Sequence, residues 1–110
     1  MRVEVAAALV FRNGRFLIRQ RPPEKARGGL WEFVGGKKEP GESLPEALVR
    51  ECREELDAPV RVGRIFCEVE HAYEDITVHL TLFHTELDGE AVQKEHTALR
   101  WITPEEIPGF

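Results

Sequence analysis

The sequence is poor in cysteine: Cys52 and Cys67 are its only two in 110 residues. They lack CxxC spacing, which excludes a disulfide scaffold or a cysteine zinc site and points to a reducing compartment. Long hydrophobic runs are also missing. None approaches the roughly 18–20 residues that a membrane span requires. Met1 to Arg12 reads as a strand, without the design of a secretion signal. Positive charge is in deficit, with 15 Lys+Arg against 20 Asp+Glu and a formal net charge of −5. That balance argues against wrapping double-stranded nucleic acid. It leaves room for a small anionic ligand, because a bound cation reverses the local sign. Low-complexity segments, linkers and internal repeats are absent, so residues 1–110 read as one domain. The 42% hydrophobic and 32% charged fractions are those of a globular chain, not a disordered one.

What is present has a clear order. Val3 to Phe11 is apolar and rich in strand formers, and Asn13-Gly14 is a strong hairpin signal because both residues tolerate φ > 0. Arg15 to Arg21 returns, stopped by Pro22-Pro23. After a polar loop, Leu30 to Val34 is a short apolar piece, and Gly35 through Gly41 reads as loop. Ser43 and Glu46 then form a capping box with Pro45 in the first helical turn. Leu44, Leu48, Cys52 and Leu56 recur every four residues, predicting an amphipathic helix that ends at Asp57-Ala58-Pro59. Val60 to Tyr73 and Ile76 to Leu87 are long strands, and Leu99 to Ile102 is a short one. Thr103 with Glu106 announces a second helix just before Phe110, which reads as a truncated helix or a single turn. The class is α+β with strands paired through hairpins, or an α/β/α sandwich if a C-terminal helix is added.

On the central helix Glu51, Glu54 and Glu55 are spaced i, i+3, i+4. Like charges so placed cost about 0.2–0.5 kcal/mol per pair. At about 100° per residue, Leu48, Val49, Cys52 and Leu56 define the apolar stripe and the three acids fall beside it, Glu55 nearest. Converging, partly desolvated carboxylates suit hard cations such as Mg²⁺ or Mn²⁺. A solvated acidic face with an Arg50–Glu54 pair is the competing reading. Gly35-Gly36, which permit close backbone approach, and the basic residues Arg21, Lys37 and Lys38 favour a polyphosphate beside a metal.

From Gly36 to Ala58 the spacing resembles the Nudix box, G-x5-E-x7-R-E-U-x-E-E-x-G-U with U bulky and apolar. Gly36, Glu42, Arg50, Glu51, Cys52, Glu54, Glu55 and Leu56 occupy its positions. Leu30-Trp31-Glu32-Phe33-Val34-Gly35-Gly36-Lys37 and Leu99-Arg100-Trp101 are similar to segments of MutT-like nucleoside triphosphate pyrophosphohydrolases. Three positions depart from the pattern. Asp57 replaces the helix-ending glycine, Ala58 is small for its place, and Val34 stands where proline is frequent. Relatives also continue past the equivalent of Phe110 into a helix carrying a base-reading polar residue.

The resemblance implies a Nudix-type α/β/α sandwich with a mixed central sheet. It implies Mg²⁺-dependent hydrolysis of (deoxy)nucleoside triphosphates, oxidised ones such as 8-oxo-dGTP or CTP-type pyrimidines among them, to monophosphate and pyrophosphate. Glu51, Glu54 and Glu55 carry over as metal ligands, completed by a carbonyl of Gly35 or Gly36. Arg50 would orient them, Glu42 would support the loop or act as an outer ligand, and Glu95 is the candidate general base and extra ligand. Arg21, Glu32, Phe33, Val34 and Gly35 are the candidate nucleotide contacts. The implied partner is a small nucleotide, not a nucleic-acid polymer or a membrane, and the relatives are cytoplasmic. A non-hydrolytic Nudix-fold module that binds nucleotides or damaged purines is the alternative, disfavoured because such modules lose the box acids.

Overall fold

Asn13 and Gly14 both take positive φ, 53° and 77°. This is the conformation of a two-residue hairpin turn, and it joins β1 (Arg2–Arg12) to β2 (Arg15–Gln20). The computed structural model describes residues 1–20, 31–91 and 98–109, with 107–109 described by their backbone alone. Within these follow β3 (Trp31–Phe33), β4 (Gly35–Lys37), α1 (Leu44–Leu56), β5 (Val60–Ala72), β6 (Thr77–Leu87) and β7 (Leu99–Ile102). A 3₁₀ turn spans Pro104–Gly109.

Strand β1 organises the sheet. It pairs antiparallel with β4, Val5 opposite Lys37, and parallel with β6, Val5 opposite Leu80. Strand β6 pairs antiparallel with β5. The far end of β1 turns into β2, which carries β3 and β7, both antiparallel. The outcome is the α+β class with a mixed sheet.

Helix α1 forms as its sequence predicts. The Glu46 N–H donates to Ser43 Oγ at 3.2 Å, and the Ser43 N–H donates to Glu46 Oε1 at 2.8 Å. Asp57 ends the helix in the left-handed region (φ 52°, ψ 37°), the job usually given to glycine. Ala47, Leu48, Cys52 and Leu56 are buried. Leu48, Cys52 and Leu56 share one core with Ala6, Ala8 and Val10 of β1, where short alanine side chains let the helix lie close to the strand. Ala7 and Leu9 point the other way and join Leu82. The sheet therefore has a helix-covered face and an opposite face.

Some expectations change. Gly35–Lys37 is a strand, not loop. Its two glycines disguise it, since glycine is a poor strand former. The strand nonetheless needs glycine at Gly35, where a Cβ would sit 2.1 Å from Ala6 O. Val49 leaves the buried stripe and is 37% exposed, while Ala47 takes its place. The uneven alternation of Val62, Ile65 and Cys67 arises because the β5–β6 register shifts between them. At Thr103 the N–H and Oγ1 both donate to Glu106 Oε1, at 2.8 and 3.0 Å, but a 3₁₀ turn follows rather than an α-helix.

Candidate active site

The loop between β4 and α1 is tied to the helix by Arg50. Its Nε and Nη2 donate to Glu42 Oε2 and Oε1 at 2.8 and 3.0 Å, a bidentate grip. Nη1 donates to Glu51 Oε1 at 2.9 Å, and Nη2 to Lys37 O at 3.1 Å. Glu54 receives a longer bond of 3.4 Å from Nη1, and its side chain remains 58% exposed. The Glu39 N–H also donates to Glu42 Oε1 at 2.9 Å. These bonds, Arg50 foremost, hold the Glu42 carboxyl down to about 2. Glu51 is pushed above the usual carboxylate range by burial, against the pull of Arg50. Its carboxylate lies on Gly36, where a Cβ would come within 2.5 Å of Cδ. Only glycine leaves that carboxylate its place against β4.

Glu55, one helical turn beyond Glu51, faces the sheet. Arg19 of β2 forms an ion pair with Glu55 Oε1 through Nη1 at 2.9 Å and donates to Glu32 Oε1 through Nη2 at 2.9 Å. The side chains of Arg19 and Glu55 are only 14% and 13% exposed. Two buried atoms here, Arg19 Nε and Glu55 Oε2, have no hydrogen-bond partner among the described residues. Burial pushes the Glu55 carboxyl up to about 7, although Arg19 and the Gly35 backbone pull it down.

Glu51, Glu55, Gly35 and Gly36 line a cavity of about 710 Å³. It runs from these residues over Val3, Val5 and Ala7 of β1 and reaches Tyr73 and Asp75 between β5 and β6. That volume lies within the range of small-molecule sites. Trp31, Glu32 and Phe33 line it as well. Val34 does not: it is fully buried in the helix-side core. Arg21 and Glu95 lie outside the described residues, as does His96. Of the remaining histidines, His71 lies against Tyr73 with ring centroids 4.3 Å apart, and His84 meets Phe66 edge-on at 5.2 Å. His79 sits between Glu4 and Glu68 at 2.6 and 3.0 Å. Arg19 escaped the sequence reading, which favoured Arg21. The available signal was its spacing of two from Leu17, which puts a cation on the inward face of a strand.

A hard cation fits this chemistry. Among the described residues no three His, Cys, Asp or Glu side chains gather to cage an ion. Mg²⁺ rarely needs such a cage, since it takes one or two carboxylates and completes its shell with water and substrate phosphate. Among the described residues Glu55 Oε2 is a buried carboxyl oxygen with no hydrogen-bond partner, and ionising it there is expensive unless a cation relieves the charge. Glu51 supplies the second carboxylate on the same cavity.

Comparison with known proteins identifies the family of the chain. Residues 6–110 match the family model described as NUDIX domain. The chain is 43% identical over 105 residues to the CTP pyrophosphohydrolase of Escherichia coli strain K12, covering 94% of this chain and 78% of that protein. It is 33% identical to an 8-oxo-dGTP diphosphatase of Proteus vulgaris, covering 86% of each. The solution structure of the E. coli ORF135 protein superposes with a TM-score of 0.85 at 41% identity, over 99% of this chain and 79% of that one. With that match spanning nearly the whole sequence, the chain belongs to the Nudix hydrolase family.

Proposed function

We propose that this chain is a Mg²⁺-dependent pyrophosphohydrolase that cleaves nucleoside triphosphates to monophosphate and pyrophosphate, acting as one domain over residues 1–110. The observation that carries the reading is the buried Glu55 Oε2, without a hydrogen-bond partner among the described residues, on a cavity large enough for a nucleotide. Cytidine triphosphates are the first substrates to test and oxidised purine triphosphates the second, following the relatives' names.

Glu51 and Glu55 would hold the ion, with Glu54 and the Gly35 or Gly36 carbonyl as further ligands. Once bound, the ion would neutralise polyphosphate charge and acidify an attacking water. Arg50 keeps Glu51 aimed, and through Glu42 and Lys37 O it fixes the loop ahead of α1. Phe33 and Trp31 offer the cavity apolar surface for a base, and Glu32 offers an acceptor. Arg21 and Glu95 remain the candidate phosphate contact and general base. Mn²⁺ is expected to replace Mg²⁺, since both favour oxygen ligands.

The test is incubation with Mg²⁺ and a panel of ordinary and oxidised triphosphates, with all products separated. Monophosphate plus pyrophosphate from the wild type, lost on chelation and in Glu55→Gln, is the expected result. Tight metal-dependent nucleotide binding without turnover would replace the hydrolase with a binding module.

A further inference from the structure

Arg19 belongs to no element of the Nudix box, yet it is the residue that touches both ends of the site. One guanidinium nitrogen holds Glu55 on α1 and another holds Glu32 on β3, each at 2.9 Å. The strand carrying it, β2, pairs with β3 so that Arg19 stands opposite Glu32. The guanidinium thus spans from the cavity-lining strand to the acidic helix. It takes Oε1 of Glu55 and leaves Oε2 buried without a hydrogen-bond partner among the described residues. A planar two-armed donor does this and a point charge does not, because both carboxylates must be gripped at once.

We propose that Arg19 is a positioning residue for hydrolysis. It fixes which oxygen of Glu55 is offered to a cation and locks that carboxylate to the Glu32 wall of the nucleotide cavity. The assignment rests on the hydrolase reading above. Arg19 acts through Glu55 and Glu32, and it contributes little to holding the substrate itself.

The variants are Arg19→Gln, Arg19→Lys and Glu32→Gln, each checked for a cooperative melt. Two readouts are used: kcat and KM for CTP with Mg²⁺, and binding of Mn²⁺ alone by electron paramagnetic resonance. In Arg19→Gln, kcat is expected to fall about tenfold or more while KM stays within about threefold. Arg19→Lys, which keeps the charge but not the span, should recover only part of kcat. Its effect should be non-additive with Glu32→Gln, because both break the same bridge. Mn²⁺ binding should weaken about tenfold or more in Arg19→Gln, within the range seen when outer-shell partners are removed. Loss of a positive charge alone would instead tighten it.

An unchanged kcat in folded Arg19→Gln would overturn the proposal. So would a loss confined to KM, full rescue by lysine, or tighter Mn²⁺ binding. If the wild type turns over no nucleotide, the hydrolase reading fails separately, and the Mn²⁺ comparison alone decides the role of Arg19.

Discussion

Glu42 and Glu55 are both glutamates gripped by an arginine, and both are mostly out of water, with side chains 19% and 13% exposed. Their acidities nevertheless part in opposite directions, to about 2 and about 7. Side-chain exposure alone does not account for this: burial dominates at Glu55 and drives it up, whereas hydrogen bonds dominate at Glu42 and drive it down. Arg50 takes both oxygens of Glu42, and the Glu39 N–H adds a third bond. Arg19 pairs with one oxygen of Glu55, and the other has no hydrogen-bond partner among the described residues. The first carboxylate is satisfied by the protein and braces a loop. The second is held short of a partner beside a cavity, so it is the one prepared for a ligand.

The sharpest way to break this contrast is to remove the Glu55 carboxylate and the arginine that braces Glu42 in turn. Glu55→Gln should lower kcat about a thousandfold, the scale of losing a group that stabilises developing charge. Replacing Arg50 by alanine should cost about 10- to 100-fold, because it disturbs Glu51 and the loop without removing a ligand. Steady-state kinetics under Mg²⁺ measure both, and equal losses would erase the distinction.

A smaller effect tests the acidities through stability. Glu55 has an ordinary value of 4.5 and a folded value of about 7, so between those values the native state carries the extra proton. Stability of the metal-free protein should therefore fall as pH rises through that window and level off above it. The Glu55 share is about 3 kcal/mol at most. Denaturant melts under chelation should show this slope in the wild type and not in Glu55→Gln. Glu42 works in the reverse sense. Its depressed value makes its contribution complete above the ordinary carboxylate range and lost as pH falls through about 2. Glu42→Gln should melt a few degrees lower at neutral pH, with the gap closing in strong acid. The smallest effect is a control outside both pairs. Asp57→Gly relieves a left-handed aspartate and should stabilise by about 0.5 kcal/mol net of unfolded-state entropy, with neither kcat nor the pH slope altered.

The difference between the two arginines also marks how far the sequence could be read. Arg50 and its acids lie within a fixed local spacing: helix periodicity offers the Arg50–Glu54 pair, and the resemblance to the Nudix box implies that Arg50 orients the other acids. Asp57 as the left-handed helix end was legible for the same reason, being a local backbone demand. Arg19 was not, since its partners lie 13 and 36 positions away, and only the pairing of β2 with β3 and the packing of α1 bring them together. Strand β4 was hidden likewise. Its glycines answer to Ala6 O and to the Glu51 carboxylate, neighbours that tertiary structure supplies and strand propensity ignores. The exposure of Val49 follows from the same gap, because the helix turns Ala47 rather than Val49 toward β1.

The most direct measurement is a carboxyl-carbon nuclear magnetic resonance titration of the glutamates, with and without Mg²⁺. Without the ion, Glu55 should titrate near 7 and Glu42 near 2. With Mg²⁺ the Glu55 midpoint should move down, because the cation binds only the ionised form, and Glu42 should stay where it is. Ordinary carboxylate behaviour at Glu55, or a midpoint there that Mg²⁺ leaves unmoved, would contradict the assignment of Glu55 as the carboxylate held ready for the cation.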